Sequence, residues 1–496
     1  MHPLRAAFVA ALLASSVLRP AVADQANFVV DLPTDPASLD PHLQWDPDSY
    51  AAYRNMFDNV VTRDASGAIV PQVAAAWRYE DDTHVVFTIR DDISFHDGAK
   101  LTPEDVVFSV KRITDPAFKS PQLSQFDQIT GAEVIGPHEI RLTTRTAYPV
   151  LLAQLTKLSV VPRAAVEALG EKFNQQPIGS GPYKFVSRRQ GVSIVMTANE
   201  TYWRGKPPFP RVELHPVGDE STRIADVRTG RADIARLLST DNADTLKTDK
   251  AVKVLWTPTE RVSLLMLNTL DGPTRDRRVR EAIAHAIDCD VIIEALLKGY
   301  AKPVNEPLTP ASFGFDTSIP NYDFDPSQSK ALLAQAGIAP GTKVSFLTSP
   351  VFDQRVVQAI QQMLGDIGLS AELKTVDLAT YLRARQGRPD EAGDVSFFRW
   401  SCGCQDADGT LFPLFDSTSQ WSKYKNPAVD AALQIGRNTL GSAVRAAAYR
   451  DALAIIHEDI PAVPLYQDAA MYVARPPLQF APTTNESFFL FDMAWR

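Results

Sequence analysis

A chain of 496 residues is longer than a single compact core supports and implies two or three domains. Its composition, 45% hydrophobic, 22% charged and 9% aromatic, is that of an ordinary soluble globular protein. The 59 acidic against 50 basic residues give a net charge of −9, and no basic run interleaves with aromatics, which argues against a nucleic-acid partner.

In chain order, the first residues read as an export signal. Arg5 supplies the positive start, Ala6 to Leu18 a short apolar run, and Ala21-Val22-Ala23 a small-residue cleavage site before Asp24. The run falls short of the ~20 residues of a spanning helix. No cysteine stands at the cleavage site, so no lipid anchor is expected. Residues 1–23 are therefore expected to be a signal peptide, and the mature protein is expected in the periplasm of a Gram-negative bacterium.

A strand over Phe28 to Leu32 leads into a Pro- and Asp-rich loop, and a helix is predicted from about Ser49 through Phe57. Trp77 to Ser109 then reads as strand, turn and helix start. Val85, Phe87 and Ile89 alternate within His84 to Arg90, Asp97-Gly98 is a turn dipeptide, and Thr102-Pro103-Glu104-Asp105 opens a helix. Further strands are predicted at Ile140 to Thr144, Ser193 to Ala198, Arg211 to His215 and Val262 to Asn268, and helices at Val150 to Leu155 and Glu220 to Arg228. From Arg277 helices and strands alternate: Arg277–Leu297, Ser327–Ala336, Lys343–Thr348, Val356–Ile367, Ala371–Thr375, Val395–Arg399 and Ala443–Asp459. That order argues for an α/β sheet. The tail from Phe488 to Trp495 reads as a closing strand.

Several segments together resemble family 5 of the extracellular solute-binding proteins, the dipeptide, oligopeptide and nickel receptors of ABC importers. They are the Trp77–Ser109 module, Ser38-Leu39-Asp40-Pro41-His42, Pro177-Ile178-Gly179-Ser180-Gly181-Pro182-Tyr183, Arg278 to Asp288 after Asn268-Thr269, Tyr424-x-Asn426-Pro427, and Ile460-Pro461 with Pro464-Leu465-Tyr466. The resemblance implies a three-domain α/β periplasmic binding protein (type II, of the large "cluster C" kind) with two lobes around an interdomain cleft. It suggests residues 24–54, 177–262 and 473–496 as a discontinuous first domain, 55–176 as a second and 263–472 as a third. It also implies ABC permease and ATPase subunits at the inner membrane as partners. The chain is expected to be a monomer without a cofactor.

The candidate ligand residues centre on the loop after strand Val395–Arg399, because open α/β sheets bind ligands beyond the carboxyl ends of their strands. In peptide-binding relatives an Asp that pairs with the peptide amine falls, aligned on Trp400, at Gly403. Small residues Ser401, Cys402 and Gly403 leave backbone N–H groups facing the cleft. Arg399 and Arg355 are candidate anion partners, the latter matching the place where dipeptide receptors hold the ligand carboxylate, and Asp406 is a substitute acid. Trp45, Trp421 and Tyr424 are candidate stacking residues. The solute is then a peptide, or a sugar conjugate or opine-like compound, with a nickel chelate as a minor alternative.

Chemistry of other kinds finds little footing. Gly179-Ser180-Gly181 lacks the spacing of a nucleophile elbow and fits a turn, so a secreted hydrolase on this scaffold is the weaker alternative, and no catalytic residue is proposed. His2, His42, His84, His96, His138, His215, His285 and His457 do not pair at zinc-ligand spacing, and no metal site is expected. Of the three cysteines, Cys289 is expected as a small buried residue on the helix starting near Arg277. Cys402 and Cys404 would need a tight, strained ring to bond and are expected as two free thiols in the pocket wall.

Overall fold

The computed structural model describes residues 27–44 and 46–496; the expected signal peptide 1–23 and the candidate Trp45 lie outside the described residues. The Trp77–Ser109 module folds as its sequence indicates. Strand His84–Ile89 pairs antiparallel with Ala74–Tyr79 on one side and Glu139–Thr144 on the other, burying Val85, Phe87 and Ile89. Gly98 takes φ +91° in the turn. At the start of helix Pro103–Thr114, the Thr102 backbone N–H and hydroxyl both donate to Asp105 Oδ2, at 2.9 and 3.0 Å. Val106, Val110 and Ile113, one helical face, then close a core with Phe87, Ile140, Leu142 and Leu155.

A second sheet runs through most of the remaining chain. Its strands lie in the order Leu369–Thr375, Thr342–Thr348, Val395–Trp400, Lys253–Leu267, Ala462–Ala474, Ile234–Arg236, Asn27–Leu32, Arg211–Pro216, Ser193–Ala198 and Tyr183–Arg189. One end packs on a core of Leu264, Phe346, Val356, Ile360, Phe397 and Leu453. The other packs on Phe28, Val30, Phe57, Tyr183, Val212 and Phe488. The two ends are joined by the antiparallel pair Lys253–Leu267 and Ala462–Ala474. Its ladder breaks between Pro258 and Val262, where Thr259, Glu260 and Arg261 lie opposite the single residue Asp468. A bulge of this kind turns side chains out of the sheet's alternation.

Three expectations are corrected. The helix predicted over Arg277–Leu297 is broken: Arg277–Ala286 ends, Ile287 is extended, and Asp288 accepts from Val291 N–H to start the short turns Cys289–Val291 and Ile292–Leu296. Cys289 is therefore off that helix and half-buried, and burial pushes its thiol up to about 12. The tail is not a closing strand. Only Ala494–Trp495 pairs, with Leu478–Gln479, while Asn55 bonds Phe488 O and Leu490 N–H in place of a ladder. The strand expected at Val262 begins much earlier, at Lys253.

The Gly179-Ser180-Gly181 turn is structural. A Cβ on Gly179 would sit 2.0 Å from Met56 O, and one on Gly181 would sit 2.6 Å from Met56 C. Buried Ser180 donates to Asp58 Oδ2 at 3.0 Å, a carboxylate that also receives Gln72, Tyr202 and Trp203.

Candidate functional site

Two adjoining cavities open where the strand pair bulges. The larger, about 630 Å³, lies among Asp48, Arg236, Ser239, Ser263, Tyr300, Asp353, Arg355, Arg399, Tyr466 and Asp468. The second, about 500 Å³, lies among Tyr50, Gln154, Lys157, Glu260, Trp400, Ser401, Cys402 and Gly403. Asp46, Pro47, Arg261 and Glu486 line both, so the two form one cleft. Its walls come from both ends of the long sheet and from the segment Ser124–Lys157.

Charges of both signs are fixed around the larger cavity. Arg236 donates to Asp48 at 2.7 Å, Arg261 lies 3.0 Å from Glu486, and Arg399 stands a looser 3.6 Å from Asp468, which also accepts from Ser263 at 2.8 Å. Asp468 is held above the usual carboxylate range, chiefly by burial, with Arg399 opposing. Arg355, at the start of helix Gln354–Asp366, is clamped by Asp353 and reaches Asp241 at 2.6 Å. These two carboxylates raise its pKa.

Among the expected ligand residues, Arg355 and Arg399 line the larger cavity, and Trp400, Ser401, Cys402 and Gly403 the smaller. The Trp400 indole donates to Gly409 O at 2.8 Å, which fixes its ring as wall. The other three face elsewhere. Asp406 is buried and accepts from Arg445 at 2.7 and 2.9 Å and from Asp408 N–H at 3.0 Å, so it is not available as a substitute acid. Tyr424 is buried with its hydroxyl on Asp459, and Trp421 packs against Trp400 and Phe398.

The free-thiol expectation is also corrected: Cys402 and Cys404 are joined as a disulfide. The Gln405 N–H donates to Cys402 O at 2.8 Å, and Gln405 takes φ +52°. This tight turn brings the two Cα atoms to 5.0 Å, within disulfide range. Gly409 leaves room for it, since a Cβ there would meet the sulfurs at 2.2 and 2.6 Å. The Arg63 guanidinium, from strand Val61–Arg63, donates to Cys404 O at 2.6 Å.

Lys157, Glu260, Arg261, Asp468 and Glu486 went unread in the sequence. The one available signal was the charged pair Glu260-Arg261 interrupting an otherwise apolar strand, which marks a bulge. Gly403 lies against two of these groups: a Cβ there would stand 2.6 Å from Lys157 Nζ and 3.2 Å from Glu260 Oε1. Burial lowers the Lys157 pKa and pushes the Glu260 carboxyl up to about 7. Among the described residues no group of three His, Cys, Asp or Glu side chains is placed to hold a metal ion.

A sheet of this order with a walled cleft at its two crossing strands is the architecture of a periplasmic-type binding protein, and the sequence agrees. Residues 68–422 match the model of the bacterial extracellular solute-binding proteins, family 5, and the chain belongs to that family. It is similar to heme-binding protein A of Haemophilus influenzae, 27% identical over 482 residues covering 88% of this chain and 86% of that protein. It is also similar to the glutathione-binding protein GsiB of Escherichia coli, 26% identical over 478 residues and 93% of each chain. Among solved structures, the ABC transporter-associated periplasmic binding protein DppA from Helicobacter pylori, in complex with peptide STSA, superposes with a TM-score of 0.79. It shares 25% identity over 95% of this chain and 98% of that one. The protein is a solute-binding receptor of an ABC importer and acts outside the cytoplasm.

Proposed function

We propose that this receptor captures a small, peptide-like solute bearing charges of both signs and hands it intact to its permease. The observation that carries the reading is the cleft's wall. Arginines 236, 261, 355 and 399 alternate there with Asp48, Asp353, Asp468 and Glu486 around a continuous space sized for a few residues. Fixed dipoles and ion pairs of both signs suit a zwitterion and disfavour a purely apolar ligand. Relatives named for glutathione and a bound peptide support the same class.

Capture would proceed by closure. The strands Lys253–Leu267 and Ala462–Ala474 are long crossings between the two ends of the sheet, and their broken register around Glu260 and Asp468 is the natural place to bend. Affinity then includes the free energy of reaching the closed form. On this reading 24–54, 177–262 and 473–496 form one domain, 55–176 a second and 263–472 a third, the solute lying between the first and third. The exported chain loses residues 1–23 and works in the periplasm as a monomer, performing no chemistry on its cargo.

A second reading, a sugar conjugate or opine-like solute, draws on the smaller cavity. There Tyr50 and Trp400 offer ring faces beside the short side chains of Ser401 and Gly403. Titration calorimetry against short peptides, S-methylglutathione and opines separates the two. Submicromolar binding of peptides alone supports the first reading, and binding of opines alone replaces it with the second.

A further inference from the structure

Resting on the peptide-like reading, the geometry points to Glu260 as the group that receives a cationic, amine-bearing end of the solute, with the disulfide-closed turn Cys402–Cys404 holding the facing wall in place. The other acids in or beside the smaller cavity each hold a cap or an ion pair. Asp46 caps helix Pro47–Tyr53 through Asp48 and Ser49 N–H, Glu486 faces Arg261 at 3.0 Å, and Asp406 is held by Arg445. Glu260 differs. Its Oε2, like Asp46 Oδ2, is shielded from water and accepts no hydrogen bond among the described residues, but Glu260 caps no helix and lies against Gly403.

The position of Glu260 follows from the chain. The bulge between Pro258 and Val262 takes it off the sheet ladder, and its N–H is fixed by Thr484 O at 3.0 Å. On the facing wall the turn at Gly403 comes so near that the room for a Cβ is already taken by Lys157 Nζ at 2.6 Å. A side chain at 403 would have to displace the Lys157 ammonium, and Gly403 carries no charge of its own, so charge recognition there falls to the opposite wall. Closing the turn with Cys402–Cys404, and gripping its Cys404 carbonyl with Arg63, holds that approach. The groups acting on Glu260 are Lys157, Arg261 and Arg63, which favour its ionised form, and Glu486, which opposes it. Burial outweighs them, leaving the carboxyl near pH 7 in the absence of solute. An ammonium group docked against it favours the carboxylate.

The test uses the full mature chain and a library of di- to tetrapeptides with S-methylglutathione, each member beside its N-acetylated twin. Retention is read by native mass spectrometry and affinity by calorimetry. The wild type is expected to prefer free amines by about tenfold or more, the scale of a charge-assisted hydrogen bond, and to bind more tightly at pH 8 than at pH 5.5. Glu260→Gln should lose both the preference and the pH dependence while its melting temperature stays near the wild type's, and Glu260→Asp should recover part of them. Reducing the disulfide, or Gly403→Ala, should weaken binding of the same peptides. Equal binding of acetylated twins, or an unchanged preference in Glu260→Gln, overturns the assignment. Retention of no library member by the wild type overturns the peptide reading itself, and the assignment with it.

Discussion

Arg355, which lines the larger cavity, is joined to Asp241, Nη1 to carboxylate at 2.6 Å, the two standing on helices Gln354–Asp366 and Thr240–Leu246. On the proposed closure, the pair would link the first domain to the third. Both side chains are about half exposed, 45% and 54%, so the bond is screened and contributes at most about 1 kcal/mol. Asp241→Ala should therefore lower solute affinity by only about two- to fivefold at 50 mM salt, with the difference vanishing at 0.5 M. Calorimetry at the two ionic strengths checks this.

Arg399 is held more loosely, 3.6 Å from Asp468, and it lines the larger cavity. A partner that a solute anion can recruit is expected to matter for binding more than for folding. Arg399→Ala should cost about tenfold in affinity and move the melting temperature by no more than about 2 °C. Calorimetry and a thermal melt on the same sample separate the two effects.

Local patterns announced themselves well in this chain, and distant pairings did not. The alternation of Val85, Phe87 and Ile89 and the Thr102 to Asp105 helix start each need only neighbours in sequence, and both are found as expected. Strand Ala462–Ala474 was not anticipated, because its partner lies some 200 residues earlier and the bulge at Glu260 hides the shared register. The candidate site divided the same way. The loop after Val395–Trp400 does wall the cleft, as strand-end loops do. Asp406 was misread because nothing near it in sequence reveals Arg445, and the disulfide because a sequence spacing does not show the Gln405 turn or the space at Gly409.

The Arg445–Asp406 pair makes its own prediction. Both side chains are buried, so removing the carboxylate leaves the guanidinium without its counter-charge. Asp406→Asn should lower unfolding stability by about 3 kcal/mol in urea titrations, while the fraction that stays folded binds solute nearly as well as wild type.

Glu306 governs an alkaline effect. It is buried, accepts one bond from Asp316 N–H at 2.7 Å, and burial pushes its carboxyl up to about 8 from an ordinary 4.5. The folded state thus holds a proton that the unfolded chain releases. Its contribution is intact below about pH 4.5, is lost as pH climbs to about 8, and stays lost above. Glu306→Gln keeps an acceptor without a charge. Melts from pH 5 to 9 should show the variant gaining on wild type across that window, by about 2–5 °C at pH 9.

Native mass spectrometry of the exported protein, sprayed as purified and again after denaturation, tests the capture of an intact solute most directly. A one-to-one adduct of a few hundred daltons, bearing an amine, is expected to leave the unfolded chain with its mass unchanged and to rebind on refolding. A compound released as a hydrolysed or otherwise altered product, or a cleft that retains no member of any peptide or opine panel, would rule out intact capture.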